Sequence, residues 1–407
     1  MRVLVAGAGI AGLTTALVFR RMGHDVHVLE RAAQFSEVGA GIQIGPNGAR
    51  LLHQLGLESV LKKVATVPEY GVLRYGKSGH RIARFPLGSS SQRRYNYPYY
   101  HIYRADLIEV IRAALVGAEN SGGSVEITFN SEVRVLEDQG GEPILVTTEG
   151  DEYKADLIVG SDGLSSALRN YVVGRENPEY SGLVAWRGLV PLSELADHTE
   201  FQRPGIWTGK GRHIVTYPLD KRGMCNFVAV APASASKLES WSVQSSEVEK
   251  DQLRQAFAGW NIVNQAIIDK LTTSNTWGLY TRQTPKVWYK KRVVLVGDSA
   301  HPMLPTMAQG AVMAIEDAYV LGGLLGTTST ENNESISGAL SQYQNLREAR
   351  VRLVHRQAQR NADHFHMRNR ISSLVGNMSL QIMGRASETV LENKYAWIFG
   401  YDANQEV

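Results

Sequence analysis

Six residues near the start of the chain have the types and spacing to seat a phosphate. Gly7-Ala8-Gly9-Ile10-Ala11-Gly12 follows an apolar run, Arg2 to Ala6, that reads as a strand. It opens a stretch, about Ala11 to Met22, that reads as a helix, with Gly23 placed to end it. Gly7 permits the tight turn, Gly9 lets a pyrophosphate approach the backbone, and Gly12 allows close helix–strand packing. The helix N-terminus then faces the phosphate charge. Glu30 closes a second strand, Asp25 to Glu30, where a carboxylate can accept from ribose hydroxyls. This pattern specifies a dinucleotide and does not choose between FAD and NAD.

Two further segments narrow the choice. One is Ala155-Asp156-Leu157-Ile158-Val159-Gly160-Ser161-Asp162-Gly163, followed by Ser165 and Arg169. The other runs from Val293 through Gly297-Asp298-Ser299-Ala300-His301-Pro302 to Pro305, Gln309, Gly310 and Glu316-Asp317-Ala318. In this order and at these separations, the three motifs resemble the flavoprotein aromatic hydroxylases of the p-hydroxybenzoate hydroxylase type. The branch they look most like is that of salicylate hydroxylase and 6-hydroxynicotinate 3-monooxygenase. Gly39 to Gln43 with Pro46-Asn47, Tyr103 to Leu107, Trp186-Arg187-Gly188, Tyr343 with Arg347 and Arg350, and Trp397 to Asp402 extend the resemblance over the whole chain.

The resemblance implies a cofactor site built from Gly7, Gly9, Ala11, Gly12, Glu30, Arg31, Gly41, Arg104, Asp162, Asp298, Gly310 and Ala311. Asp298 would take the ribitol hydroxyls of FAD. The helix starting near Gln309-Gly310 would aim its N-terminus at the flavin N1–C2=O edge, where reduced flavin is negative. For Arg169 a cofactor contact and a packing ion pair stay equally open. NADH or NADPH would dock transiently, since no second Gly-rich fingerprint follows. Reduced flavin would then react with O2 to give a C4a-hydroperoxide, which hydroxylates a small aromatic ring.

A phenol becomes a better nucleophile when deprotonated, so a base near the substrate hydroxyl is expected. His213 is the candidate, with Tyr217 beside it. The branch carries a His followed four residues later by Tyr-Pro, and in a strand those positions share a face. A structural histidine at a strand start is the competing reading. By the same resemblance Asn47, Pro305 and Gln309 would contact substrate; His301 is a weaker base candidate that could brace its loop. Ala308 departs from the glycine that members commonly carry, and His366 to Asn369 lacks a following Asp-Gly.

These residues need two kinds of scaffold. Apolar strand-like runs at Arg2 to Ala6, Ala155 to Val159 and Arg292 to Val296 each end in a Gly/Asp turn, as in one interrupted Rossmann-like α/β domain. We expect the FAD-binding domain over 1–66, 101–177 and 276–330. A mostly antiparallel substrate sheet is expected over 67–100 and 178–275, with strands such as Trp186 to Val190, His213 to Pro218 and Met224 to Val230. Residues 331–407 read as a C-terminal helical segment: a polar loop at 331–338, then a long helix to about His366. Its Arg347, Arg350, Arg352, Arg356 and Arg360 read as a solvated face.

Bulk properties set limits. With 407 residues and 43% hydrophobic content the chain can bury a substantial core. A net charge of +3 is too small to imply nucleic acid or an anionic membrane. The one cysteine, Cys225, lies in an apolar run and reads as a buried inert thiol; no disulfide or metal cluster is expected. The start reads as a nucleotide-binding unit rather than a signal peptide, and the expected location is cytoplasmic. The oligomeric state expected is monomer or homodimer. Three alternatives remain: the same flavin chemistry turned to epoxidation, dearomatisation or decarboxylative hydroxylation, a nicotinamide dehydrogenase, and a non-catalytic flavin-binding protein.

Overall fold

A computed structural model describes residues 1–35, 40–117, 122–138, 140–209, 211–233, 243–244, 247–271, 274–326, 333–365 and 388–406. The strand Arg2–Ala6 is buried over Val3 to Ala6, and Leu157–Gly160 is buried throughout. Runs with no polar face suit the interior of a parallel sheet covered on both sides. They sit centrally in a six-stranded sheet, in the order Tyr289–Lys290, Val293–Leu295, Leu157–Gly160, Arg2–Ala6, Asp25–Leu29 and Val125–Thr128. All neighbours in it are parallel except the edge pair Tyr289–Lys290 with Val293–Leu295.

Register explains why motifs so far apart in sequence meet. Ala6 pairs with Gly160, and Gly160 with Leu295, so three strands end at one level. The turns carrying Gly7 to Gly12, Asp162 and Asp298 therefore leave the sheet at one edge. Sheet order changes direction there, as Arg2–Ala6 has the early strand on one side and the late one on the other, which is where doubly wound sheets bind ligands.

The second scaffold is an eight-stranded sheet. Its members include Glu179–Pro191, Gly205–Gly209, Arg212–Leu219, Met224–Pro232 and Ser274–Thr281, with Tyr70–Tyr75 and Arg81–Pro86 at one edge. Pairing is antiparallel save where Gly205–Gly209 runs parallel to Tyr70–Tyr75. The strand Ser274–Thr281 pairs along Glu179–Pro191, so the expected division at 275/276 falls inside a strand of this sheet. One sheet face packs on the helices Glu247–Ala256 and Ile262–Lys270 through Trp186, Ile214, Phe227, Phe257 and Trp260.

The long helix spans Asn333–Phe365, beginning within the stretch expected as loop. Arg352, Arg356 and Arg360 are exposed on it, but Arg347 and Arg350 are buried, which corrects the reading of all five as solvated. The helix packs against Gly310–Leu325, which supplies the carboxylates those two arginines need. Residues 366–369 lie outside the described residues. Among the described residues no helix is long and apolar enough to cross a membrane.

Candidate active site

The space between the two sheets is a cavity of about 580 Å³. One end is walled by Gly7, Gly9, Ala11, Glu30 and Arg31, the middle by Gly41, Arg104, Asp162 and Asp298, and the other end by His213, Tyr217, Pro305, Gly310 and Ala311. Gly7 has a φ of +98°, and a Cβ there would lie 2.7 Å from the Ser161 carbonyl oxygen, so the turn needs glycine. Gly12 lies under the turn rather than on the cavity, where a Cβ would collide with the Gly7 carbonyl. Both oxygens of Glu30 are engaged: Oε2 accepts from the Ala8 N–H at 2.7 Å and Oε1 from the Ala32 N–H at 2.9 Å. Its carboxylate holds the Gly-rich turn while facing the cavity.

The middle carries charge. Asp298 is deep in the molecule yet open to the cavity. Burial raises its carboxyl above the ordinary range, opposed by His301, Arg104 and Arg187. Arg104 lines the same section, and burial presses against its charged form while Asp298 favours it. Asp162 accepts from the Ser166 hydroxyl and from the Ala167 and Leu168 N–H groups, capping the helix Ala167–Val172. Arg169 does not reach the cavity. It is fully buried and donates to the Ser299, Ala300 and Gln283 carbonyls and to Glu176, tying down the Asp298 loop. Of its two readings, packing holds.

The far end is made by strand alternation. His213, Val215 and Tyr217 point from Arg212–Leu219 into the cavity, and Val228 and Val230 do so from the neighbouring strand. Ile214, Phe227 and Ala229, between them, enter the core behind. Tyr217 is buried, which raises its phenol. Its ring fits only because Gly41 has no side chain: a Cβ there would lie 2.6 Å from Tyr217 Cε2. His101 stacks on Tyr217 with ring centroids 4.4 Å apart, and burial lowers its imidazole to about 3.

Besides Gly12, three expected site residues sit away from the cavity. Asn47 and Gln309 do not line the cavity: Asn47 Nδ2 donates to Gln309 Oε1 at 3.1 Å and Glu316 Oε1 at 2.8 Å in the interior behind the helix Gly310–Leu325. Their side chains brace that helix start instead of meeting substrate. His301 is also buried behind the wall, its Nε2 2.6 Å from Asp317 Oδ2, and acts as the loop brace. Cys225 is fully buried on the substrate sheet and burial pushes its thiol up to about 12, so it is inert. The sequence reading gave no role to Arg187, Val228 or Val230, all of which line the cavity. Period-two alternation across Met224–Pro232 was the available signal for the valines.

The cavity fits FAD on its own features. Two helix N-termini open on it, Ile10–Arg21 and Gly310–Leu325, and neither has a side-chain cap. A Cβ at Gly9 or Gly310 would meet nothing within 4 Å, so the backbone there stands clear for a close approach. Such termini favour negative groups, a pyrophosphate at one and an electron-rich ring edge at the other.

A flavoprotein aromatic hydroxylase is the class these features define. The chain belongs to the FAD binding domain family, which matches residues 1–358. It is 36% identical over 402 residues to the 3-amino-4-hydroxybenzoate 2-monooxygenase of Streptomyces platensis, covering 99% of this chain and 96% of that one. It is 33% identical to the 6-hydroxynicotinate 3-monooxygenase of Pseudomonas fluorescens, over 82% of this chain and 84% of the relative. Among solved structures, Klebsiella pneumoniae HpxO complexed with FAD and uric acid superposes with a TM-score of 0.80 at 27% identity, covering 96% of this chain and 97% of that one. The protein is an FAD-dependent aromatic monooxygenase with NAD(P)H as reductant.

Proposed function

We propose that the substrate is a small phenol or hydroxypyridine, and that His213 takes the proton of its hydroxyl while Tyr217 completes the same wall. The observation that supports this reading is the shared face of His213, Val215 and Tyr217, a polar–apolar–polar stripe on one cavity wall. Taking the hydroxyl proton pushes electron density into the ring, where oxygen is to be received.

In this reading Gly7, Gly9, Ala11 and Gly12 shape the turn that receives the FAD pyrophosphate, with Glu30 and Arg31 toward its ribose. Arg104, Asp162 and Asp298 hold the middle of the cofactor, Gly41 admits Tyr217, and Gly310 and Ala311 present helix N–H groups to the flavin. The chemistry supplied there would be that of FAD, hydride uptake from NAD(P)H and activation of O2, with one oxygen atom going to the ring and the other to water. Valines and the buried Tyr217 keep bulk water from the reacting edge. A monomer or homodimer in the cytoplasm, with NAD(P)H and O2 supplied there, belongs to the same reading.

Replacing His213 tests this. His213→Ala should keep FAD bound with its visible bands while ring hydroxylation falls by roughly 10²–10⁴-fold. Addition of a substrate already ionised at its hydroxyl should recover part of that loss. Unchanged turnover across the pH range would remove His213 from the proton path.

A further inference from the structure

Among the described residues, Arg104 and Arg187 line the cavity without an ion-pair partner, and Arg187 is the one with an enclosed N–H left unpaired. Arg187 projects from Glu179–Pro191 into the lining. Its Nε is enclosed and has no hydrogen-bond partner, and among the described residues no carboxylate forms an ion pair with its guanidinium. Enclosing such a group is costly unless a partner arrives. Arg104 and Asp298 are the ionic groups that act on it, so beside Arg187 two positive groups stand against one negative; Asp162 lines the same cavity but does not act on this guanidinium.

Register sets where the charge lies relative to the proposed base. Arg187 pairs with Val228, and Val228 with Val215, the residue midway between His213 and Tyr217. Arg187 therefore stands level with that midpoint, two strands away, roughly 10 Å across the sheet. A ring whose hydroxyl meets His213 can present a second substituent toward the guanidinium, and Tyr217 lies close enough to Arg187 to feel its charge.

We propose that Arg187 is a specificity-determining residue that binds a carboxylate carried on the aromatic substrate. This assignment rests on the hydroxylase reading and adds the second functional group to its substrate. A guanidinium meets a carboxylate through two parallel N–H···O bonds, which fixes the orientation of the ring as well as its charge. The carboxylate neutralises the excess positive charge of the wall, and a neutral isostere would leave Arg187 enclosed and unpaired.

The test compares 3-hydroxybenzoate with 3-hydroxybenzamide, which differ in charge at nearly constant shape, by titrating the visible spectrum of the FAD-bound protein. Wild-type protein should bind the carboxylate at least about tenfold more tightly. Arg187→Met should erase that preference, Arg187→Lys should retain part of it, and the FAD dissociation constant should stay within about twofold in both. Wild-type protein that fails to distinguish the two compounds, by binding both alike or neither, overturns the assignment. So does a preference that survives in Arg187→Met. A flavin reduction potential that shifts in the variant while the ligand preference stays would transfer the charge to the flavin. Product analysis of the wild-type protein separates the layers: no preference for the carboxylate with hydroxylation of phenols intact defeats the Arg187 assignment alone, and a preference without oxygenated product defeats the hydroxylation reading.

Discussion

Two sets of ionised side chains lie inside this molecule and they are arranged in opposite ways. Behind the helix Gly310–Leu325, Arg347 and Arg350 meet Glu316 and Asp317 with their polar atoms satisfied. Arg347 Nε donates to Asp317 Oδ1 at 2.7 Å and Nη1 to Glu316 Oε2 at 2.9 Å. Arg350 Nη2 donates to Glu316 Oε1 at 3.1 Å and to the Ile398 carbonyl at 3.0 Å. The Gly297 N–H and His301 complete Asp317. On the other side of the same helix, Arg104, Arg187 and Asp298 face the cavity with no ion pair to join them. The enclosed set is finished in the protein alone, while the cavity set is finished only by what binds. A complete network rigidifies; an incomplete one is a place for ligand charge.

The comparison can be broken most decisively at Asp317. Burial alone would push its carboxyl up, but His301 and Arg347 outweigh that and hold it down at about 2. Asp317→Asn leaves Arg347 short of a charge in a dry interior and should lower unfolding free energy by about 3–5 kcal/mol in a denaturant titration. A carboxyl held below its unfolded value of about 3.9 stabilises the fold fully above that pH. The gap between wild type and variant should accordingly be constant at neutral pH and shrink as pH falls from about 4 toward 2. A gap below about 1 kcal/mol at neutral pH would mean the cluster contributes little.

Asp298→Asn sharpens the other half. The raised carboxyl of Asp298 means that its ionised form is a burden on the empty protein above the ordinary carboxylate range, growing as pH rises toward the folded value. The variant should therefore unfold no more easily than wild type without cofactor, and bind FAD roughly 10–100-fold more weakly, read by flavin fluorescence quenching. A variant that loses stability and keeps FAD would show that Asp298 belongs with the structural set.

The smallest effect is expected at Ala308, which lines the cavity with φ +50° just before the helix start. A side chain in the left-handed region costs about 1–2 kcal/mol, of which glycine recovers about 1 kcal/mol after its own entropy cost. Ala308→Gly should stabilise the protein by about that amount. Equal or lower stability would show that the turn stores no strain.

The nucleotide half was largely legible in sequence because its information is local. Arg2–Ala6 matches the expected strand, and Ile10–Arg21 departs from the expected helix by a residue at each end. A turn that needs glycine announces itself. The face shared by His213 and Tyr217 was also readable, since a strand fixes it. What was not readable depended on distant partners. Arg347 and Arg350 look like solvated charges until the carboxylates of the preceding helix are packed against them. Asn47 and Gln309 carried the look of ligand contacts, but their amides are turned to each other and to Glu316. The edge strands 70–75 and 81–86 join through a parallel pairing to Gly205–Gly209, a contact that no local pattern encodes.

Strand order in the six-stranded sheet also bears on how the enzyme is made. The Gly-rich turn leaves the ribosome nearly three hundred residues ahead of the Asp298 loop. The strand Val293–Leu295, which seats beside Leu157–Gly160, leaves only after the whole substrate sheet has been synthesised. Asp298 and the Gly310 helix follow it. A nascent chain holds the turn that receives one end of FAD long before it holds the residues that grip the other, and must keep two parallel strands waiting for a third. Cofactor capture thus waits on the late strand of the sheet, and yellow colour reports that Val293–Leu295 has found its place beside Leu157–Gly160.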